Sequence, residues 1–206
     1  MSDVQTRQGI PVVVSAPSGG GKTTLCRRLM DKLSGLEFSI SHTTRAPRGQ
    51  EKDGVDYHFV SEAEFKKLIA EDKFLEWAEV HGNYYGSSLD AARKQLSAGR
   101  DVLFDIDIQG GYQIKEKMPD AVLIFIVPPS MTVLEQRLRG RASDAEDVIQ
   151  KRLKAAREEI EGAVHYSHWI INDDLEQALD TFSSVVVAGR VEQTDKQAMM
   201  TQVLGV

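Results

Sequence analysis

The chain has 206 residues, of which 41% are apolar and 27% are charged, a composition typical of a single globular domain. The net charge of −6 argues against a nucleic-acid partner, because nucleic-acid-binding proteins usually carry a basic surface. One cysteine, Cys26, excludes an internal disulfide, and no apolar run is long enough to span a membrane, so we expect a cytoplasmic protein without a membrane partner.

The predicted elements alternate between strands and helices, which favours a parallel sheet with right-handed crossovers. The first is a strand over residues 10–15, followed by a glycine-rich loop and a helix over 22–33. Later elements are a strand at 101–106, a helix at 109–118, a strand at 121–127, helices at 131–139 and 145–160, a strand at 169–171 and a helix at 175–188.

The segment from residue 37 onward has a different pattern, with short strands predicted at 38–41, 57–60 and 77–80. Its one predicted helix starts with the capping box Ser61-Glu-Ala-Glu64. We interpret this segment as a small α+β lobe inserted into the main domain. The residues from Arg190 lack strong periodicity and predict a loose helix or a tail.

The loop after the first strand reads Ala-Pro-Ser-Gly-Gly-Gly-Lys-Thr-Thr, close to the P-loop pattern G-x-x-x-x-G-K-[ST]. Glycines let backbone N–H groups surround phosphate oxygens, Lys22 would reach the β- and γ-phosphates, and Thr23 would hold Mg²⁺. Ala16 replaces the first glycine of the pattern. The alternative is a chance glycine-rich turn. The predicted ATP-binding residues are Ala16, Pro17, Ser18, Gly19, Gly20, Gly21, Lys22, Thr23 and Thr24.

Two aspartates follow the apolar strand at 101–106, where ligands bind parallel sheets. Asp105 and Asp107 could contact a metal, its waters or a substrate. Alternatively, Asp107 caps the next helix. We expect Asp105 to be the more buried of the two.

Other charged residues suggest a second anionic ligand. Arg45 and Arg48 suit bidentate phosphate recognition, although they could be solvated arginines in a turn. Glu76 could accept hydrogen bonds from guanine N1–H and N2–H₂, a donor pair that adenine lacks. The adjacent Tyr84 and Tyr85 could face this ligand or simply pack.

An acidic loop at residues 143–147 is flanked by four arginines: Arg137, Arg139, Arg141 and Arg152. A hinged segment of this kind could place positive charge over a transferring phosphoryl group. The alternative is a helix face carrying salt bridges.

Several ordered motifs together resemble the guanylate kinase family over about residues 8–189. They are Ser-x-Thr-Thr-Arg-x-Pro-Arg, Asp-Tyr-x-Phe-Val, Gly-Asn-Tyr-Tyr-Gly-Ser, Asp-Ile-Asp-x-Gln-Gly, Pro-Pro-Ser and Ile-Asn-Asp-Asp. The resemblance implies transfer of a phosphoryl group from ATP to GMP, with Mg²⁺. It also implies a P-loop NTPase-type parallel sheet flanked by helices, an inserted GMP-binding lobe and a helical lid. Its predicted boundaries are core segments 8–36, 97–136 and 158–189, the lobe at about 37–96, the lid at about 137–157 and a tail at 190–206.

The resemblance also assigns roles to individual residues. The guanine is assigned to Ser41, Glu76, Ser87 and Asp107, and the GMP phosphate to Arg45, Arg48, Tyr57 and Tyr85. Glu51 and Gly86 belong to the same pocket, with Asp105 beside GMP and near the metal. The catalytic set is Lys22, Arg45, Asp105, Arg137, Arg141 and Arg152. Asn172 matches a position near the adenine, Arg139 is expected at the surface, and Asp173 or Asp174 could cap the last helix.

Two departures and two alternatives accompany the resemblance. Ala16 stands for the commoner glycine, and the Arg-Gly-Gln-Glu loop differs from the Arg-x-Gly-Glu of many members while keeping the spacing of Glu51. A peptide-binding scaffold without catalysis would lack the lysine loop or the lid arginines. A kinase for another phosphate ester, such as a ribose bisphosphate, would not need Glu76. The oligomeric state stays open.

Overall fold

The structure is a computed structural model and describes residues 7–140, 145–194 and 196–204. Its strands are β1 Pro11–Ser15, β2 Leu36–Phe38, β3 His42–Thr43, β4 His58–Phe59, β5 Phe74–Val80, β6 Asn83–Ser88, β7 Asp101–Asp105, β8 Val122–Val127 and β9 His168–Ile171. Its helices are α1 Lys22–Lys32, α2 Glu62–Ala70, α3 Leu89–Ser97, α4 Ile108–Lys117, α5 Met131–Arg139, α6 Glu146–Gly162, α7 Leu175–Glu192 and α8 Lys196–Leu204. None of the helices in these ranges has the combination of length and apolar content that crossing a membrane requires.

Five parallel strands form the central sheet in the order β2-β7-β1-β8-β9. Strand β1 is apolar on both faces because each face is covered by helices. Val12 and Val14 belong to the hydrophobic cluster that includes residues of α1 and α7, whereas Val13 belongs to the cluster with residues of α3 and α4. The predicted parallel sheet flanked by helices is therefore confirmed.

A second, mixed sheet has the order β4-β3-β6-β5. Helix α2 packs on it through Phe65, whose ring stacks on Phe74 at 4.4 Å and on Tyr84 at 5.5 Å between centroids. The predicted N-cap is confirmed, since the Ser61 hydroxyl accepts a hydrogen bond from the Glu64 N–H at 3.2 Å. These residues form the small α+β unit that the sequence predicts.

The boundaries between the main domain and the inserted lobe differ from the predicted positions at residues 37 and 96. The predicted strand at 38–41 is wrong, because β2 ends at Phe38 in the central sheet and β3 starts at His42 in the second. Helix α3 has no counterpart among the predicted elements. Its Leu89, Ala92 and Leu96 are buried in the central core, so α3 packs with the main domain.

The predicted tail boundary at residue 190 is also wrong. Helix α7 continues to Glu192, and the Arg190 guanidinium donates hydrogen bonds to Asp101 at 2.6 Å and to the Ser34 carbonyl at 2.8 Å. A charged residue in this position looks like a solvated tail in the sequence, but here it anchors the helix end. The helix α8 that follows matches the helical one of the two predicted alternatives, a loose helix or a tail.

The Asp101 carboxylate is fully buried and joins three parts of the chain. It accepts hydrogen bonds from Arg7 at 2.7 Å, from Arg190 at 2.6 Å and from the Ile10 N–H at 3.0 Å. Removing one member of a buried ionic network leaves the other charges without their partner, and this lowers the stability of the folded protein.

We expect Asp101→Ala to lower the free energy of unfolding by about 3 kcal/mol, measured by urea denaturation. Asp180→Ala is the matched control, since Asp180 forms an exposed ion pair with Lys32 and its loss should cost below about 1 kcal/mol. Equal effects of the two substitutions would contradict the central role of Asp101.

Candidate active site

The loop between β1 and α1 has the geometry of a phosphate cradle. Gly21 adopts φ 94°, and a Cβ there would lie 2.1 Å from Nδ2 of Asn172, so this position requires glycine. The Gly20 N–H donates to the Pro17 carbonyl at 2.8 Å, which tightens the turn. Within the described ranges no side chain caps the first turn of α1, and its N–H groups remain suited to an anion. Ala16 packs against the core cluster, which explains a methyl group at this position.

Lys22 extends from the first turn of α1 to the carboxyl end of β7. Its ammonium group lies 2.6 Å from the Asp105 carboxylate and donates to the Ile106 carbonyl at 3.0 Å. The structure thus brings together two predicted catalytic residues from different elements. Asp105 and Asp107 are both exposed residues, so burial does not separate the two as expected; Asp105 is the last residue of β7 and lies beside the loop.

Asp107 caps helix α4, which is the alternative role that the sequence suggested for this residue. Its carboxylate accepts a hydrogen bond from the Gly110 N–H at 2.8 Å. Asp107 also lines a cleft of about 340 Å³ together with Lys22, Thr23 and Thr24 of the loop. A capping role and a place at the site are therefore compatible.

Glu76 is a buried carboxyl group in strand β5 of the second sheet, 6% exposed. Ser87 of the neighbouring strand β6 pairs with Glu76, and its hydroxyl donates a hydrogen bond to the Glu76 carboxyl group at 2.7 Å. Burial raises the pKa of Glu76 to about 7, the Ser87 hydrogen bond acts in the opposite direction, and Asp107 raises it further. Burial therefore makes ionisation of Glu76 less favourable than ionisation of a solvated carboxyl group.

Two further predicted residues shape this region. Gly86 is buried beside Glu76, and a Cβ there would lie 3.0 Å from the Glu76 carbonyl oxygen and 3.1 Å from the Phe65 ring. Ser41 is half-buried just before β3, and its carbonyl accepts the His58 N–H at 2.9 Å. Gly86 therefore lies in the second sheet with Glu76, and Ser41 borders that sheet.

Arg45 follows β3 and is buried, 8% exposed. Its guanidinium donates two hydrogen bonds to Glu51, at 2.9 and 3.0 Å, and lies 5.3 Å from the ring centre of Tyr57. The hydrogen bonds from Arg45 and from the backbone of Arg48 lower the pKa of Glu51 below its ordinary value. Glu51 thus orients the arginine loop instead of presenting a free carboxylate.

The other predicted phosphate-binding residues are more open than Arg45. Arg48 is exposed, and its backbone N–H donates to Glu51 at 2.7 Å. The rings of Tyr57 and Tyr85 lie 6.1 Å apart, and a hydrogen bond with Tyr85 contributes to the raised pKa of Arg45. The structure therefore brings Arg45, Tyr57 and Tyr85 together, and Arg48 is linked to them through Glu51.

The predicted lid arginines differ in their surroundings. Arg152 donates to the hydroxyl of Ser18 in the phosphate loop at 2.6 Å, and Arg137 donates to the Asn172 carbonyl at 2.8 Å. Arg139 is at the surface, as predicted, and pairs with Glu135 and Glu146. Arg141 lies outside the described residues.

Asn172 supports the phosphate loop directly. Its side-chain amide is buried and donates to the Gly20 carbonyl at 2.8 Å. Of the two predicted caps, Asp174 caps α7, and its carboxylate accepts the Gln177 N–H at 2.9 Å. Asn172 therefore connects the end of β9 with the loop that follows β1.

Two residues at the site were missed by sequence reasoning. Glu159 of α6 lines the phosphate cleft, and burial raises its pKa while Lys22 and the Ser18 N–H act in the opposite direction. The Tyr166 hydroxyl forms a hydrogen bond with the Ser15 hydroxyl at 2.8 Å, beneath the loop. In the sequence, Glu159 looks like one more charge on a solvated helix face.

The comparisons with known proteins agree with this geometry. A sequence model of the family described as guanylate kinase matches residues 8–188. A guanylate kinase of Oleidesulfovibrio alaskensis is 46% identical over 201 residues, 98% of each chain, and one of Myxococcus xanthus is 52% identical over 88% of each chain. A crystal structure of guanylate kinase from Anaplasma phagocytophilum superposes with a TM-score of 0.71 at 35% identity, covering 90% of this chain and 88% of that one. On these matches and on the phosphate loop, the arginine loop and the buried Glu76, the chain belongs to the guanylate kinase family.

Proposed function

We propose that this guanylate kinase transfers the γ-phosphoryl group of MgATP to GMP, giving ADP and GDP, with the residues described above. The observation that carries the proposal is that Asp107 belongs to both half-sites. It lines the phosphate cleft with Lys22, and its charge raises the pKa of Glu76. One aspartate at the start of α4 thus joins the ATP-binding loop to the pocket proposed for GMP.

In this proposal Glu76 reads the guanine base. One of its oxygens already accepts a hydrogen bond from Ser87, which orients the carboxyl group. An ionised Glu76 accepts from guanine N1–H and N2–H₂, whereas adenine would present a lone pair to it. Ser41 and Asp107 complete the base contacts.

Arg45 and Arg48 bind the phosphate of GMP, with the hydroxyls of Tyr57 and Tyr85. The bidentate ion pair with Glu51 supports the assignment of Arg45, because a fixed guanidinium loses little freedom on binding an anion. The phosphate of GMP is itself the nucleophile, so the reaction needs no strong general base and no covalent intermediate.

The phosphate loop binds ATP, with its N–H groups and Lys22 at the phosphates and with Asn172 toward the adenine. Thr23 fits a role in holding Mg²⁺, because it is exposed in the first turn of α1 and lines the same cleft as Asp107. When bound with ATP, Mg²⁺ supplies positive charge to the phosphate oxygens. Asp105 lies within reach of Lys22 and faces the same region.

Arg137, Arg141 and Arg152 neutralise the charge on the transferring phosphoryl group, and the segment at about 137–157 closes over it as a lid. Closure excludes water that would otherwise hydrolyse ATP. The hydrogen bond between Arg152 and Ser18 supports this role, because it already directs this arginine to the phosphate loop.

The two alternatives are disfavoured by particular residues. A scaffold without catalysis would not need the contact between Lys22 and Asp105, and a ribose bisphosphate kinase would not need a buried Glu76. An ADP-release assay with GMP, AMP, CMP and UMP discriminates them. The cytoplasmic location and the absence of a nucleic-acid partner stay predictions from composition.

We expect Lys22→Ala to lower turnover at least about a hundredfold, because roughly 3 kcal/mol of transition-state stabilisation is lost. Lys32→Ala, on the same helix, is the control, since Lys32 pairs with Asp180 at the surface. Turnover of the Lys22 variant within about threefold of the unmodified protein would argue against the proposed role of the loop.

We expect Glu76→Gln to lose most of its kcat/KM for GMP and most of its preference for GMP over AMP. The introduced amide donor opposes the donors of guanine, and leaving them unpaired costs discrimination on the order of a thousandfold. The KM for ATP should stay unchanged. Glu79→Gln, an exposed change on the same strand, should match the unmodified protein. An unchanged GMP-to-AMP ratio in the Glu76 variant would refute its role as base reader.

The raised pKa of Glu76 also predicts a pH-dependent stability of the ligand-free protein. Because the folded-state pKa of about 7 exceeds the ordinary 4.5, proton binding stabilises the fold below pH 4.5, and this contribution is lost as the pH rises through 7. The Glu76→Gln variant has no ionisable group at this position, so its stability does not include this pH-dependent contribution.

The unfolding free energy of the Glu76→Gln variant, relative to the unmodified protein, should therefore rise by about 3 kcal/mol between pH 4.5 and about 8. Urea denaturation without nucleotide at several pH values measures it. Parallel pH profiles of the two proteins would show that Glu76 ionises normally.

A further inference from the structure

Helix α4 covers the open edge of strand β5. Strand β5 is the last strand of the second sheet, so among the described residues one of its edges has no neighbouring strand. Lys117 of α4 donates to the Phe74 carbonyl at 2.7 Å, at the start of β5. Gln113 reaches Trp77 further along the strand. Lys117 and Gln113 lie four residues apart and therefore share one face of the helix.

Gln113 makes two hydrogen bonds to the backbone of one residue. Its side-chain oxygen accepts the Trp77 N–H at 3.1 Å, and its amide nitrogen donates to the Trp77 carbonyl at 3.3 Å. Only a carboxamide side chain offers a neutral donor and acceptor side by side in the arrangement of a peptide group. Gln113 thus replaces the missing strand partner of Trp77.

Strand β5 needs the hydrogen bonds from Gln113 near Trp77, because its pairing with β6 is irregular just before this residue. The ladder between β5 and β6 is irregular between Phe74 and Glu76, and pairing with β6 alone does not continue evenly through this segment. Trp77 directly follows Glu76, so a fixed Trp77 peptide also fixes the backbone that carries the Glu76 carboxyl group.

The same helix also packs against the Glu76 side chain. A Cβ on Gly110, three residues before Gln113, would lie 3.1 Å from Oε2 of Glu76 and 3.5 Å from Oδ1 of Asp107. The carboxyl groups of Glu76 and Asp107 therefore both approach Gly110 in the first turn of α4. Any shift between α4 and β5 would change their separation.

We propose that Gln113 is a positioning residue for guanine recognition, whose clamp on the Trp77 backbone holds the Glu76 carboxyl group beside Asp107. This inference rests on the proposed role of Glu76 as base reader. Hydrogen-bond recognition of a planar base requires donors and acceptors placed within fractions of an ångström, so a loosened strand weakens it selectively.

The test uses three variants of the full chain. Gln113→Met keeps the shape and loses both hydrogen bonds, and Gln113→Glu keeps only the acceptor for the Trp77 N–H. Gln95→Met is the matched control, because Gln95 of α3 is also a helical glutamine and donates to Glu37, away from β5. The measurements are kcat, the KM values for GMP and ATP, and kcat/KM with GMP and with IMP, which lacks the 2-amino group.

We expect Gln113→Met to raise the KM for GMP about tenfold and to lower the preference for GMP over IMP, with kcat and the KM for ATP within about twofold of the unmodified protein. For Gln113→Glu, the KM for GMP should lie between the values of Gln113→Met and the unmodified protein. Gln95→Met should match the unmodified protein. This split between GMP and ATP is the signature of positioning, because a general loss of structure would affect both substrates.

Two results would overturn the inference. Gln113→Met could leave the KM for GMP and the GMP-to-IMP ratio unchanged, or it could raise the KM values for GMP and ATP by the same factor together with a lower melting temperature. An unmodified protein that does not phosphorylate GMP would instead refute the proposed function itself. The unmodified protein is therefore assayed first.

Discussion

The parallel pairing of β1 with β7 is the constraint on which the rest of the site depends. It places Val14 opposite Asp105, so the loop after β1 and the segment after β7 leave the sheet side by side. Lys22 reaches Asp105 because of this register, and the same segment continues into Asp107 and helix α4. One pair of neighbouring strands therefore positions both the phosphate loop and the start of α4, which packs against Glu76 of the second sheet.

The charged side chains of the site are held by one another. Arg45 is fixed by Glu51, Lys22 is paired with Asp105, and Arg152 contacts the phosphate loop through Ser18. Such preorganised charges need little rearrangement when an anionic ligand binds, which is the main way a protein can assist phosphoryl transfer. Local positive charge thus coexists with a net charge of −6.

Elements with strong local signals could be predicted from the sequence, and residues whose role depends on distant partners could not. The continuous apolar runs of β7 and β8 and the glycines before α1 encode their own structure. By contrast, the end of β2 at Phe38 depends on pairing with β7, and the anchoring of Arg190 depends on the buried Asp101. Gln113 and Glu159 look like ordinary polar residues on helix surfaces until the neighbouring strand and loop are in place.

The covered edge of β5 has a mechanical consequence for the second sheet. With β5 fastened to α4, this edge is the natural pivot for any movement of the sheet. Strand β4, at the opposite edge, lies three strand spacings away, roughly 14 Å. A rotation about the pivot would therefore carry Arg45, which follows β3, along a longer arc than Glu76. Under the proposed function, such a rotation would displace the phosphate end of the GMP pocket more than it displaces Glu76.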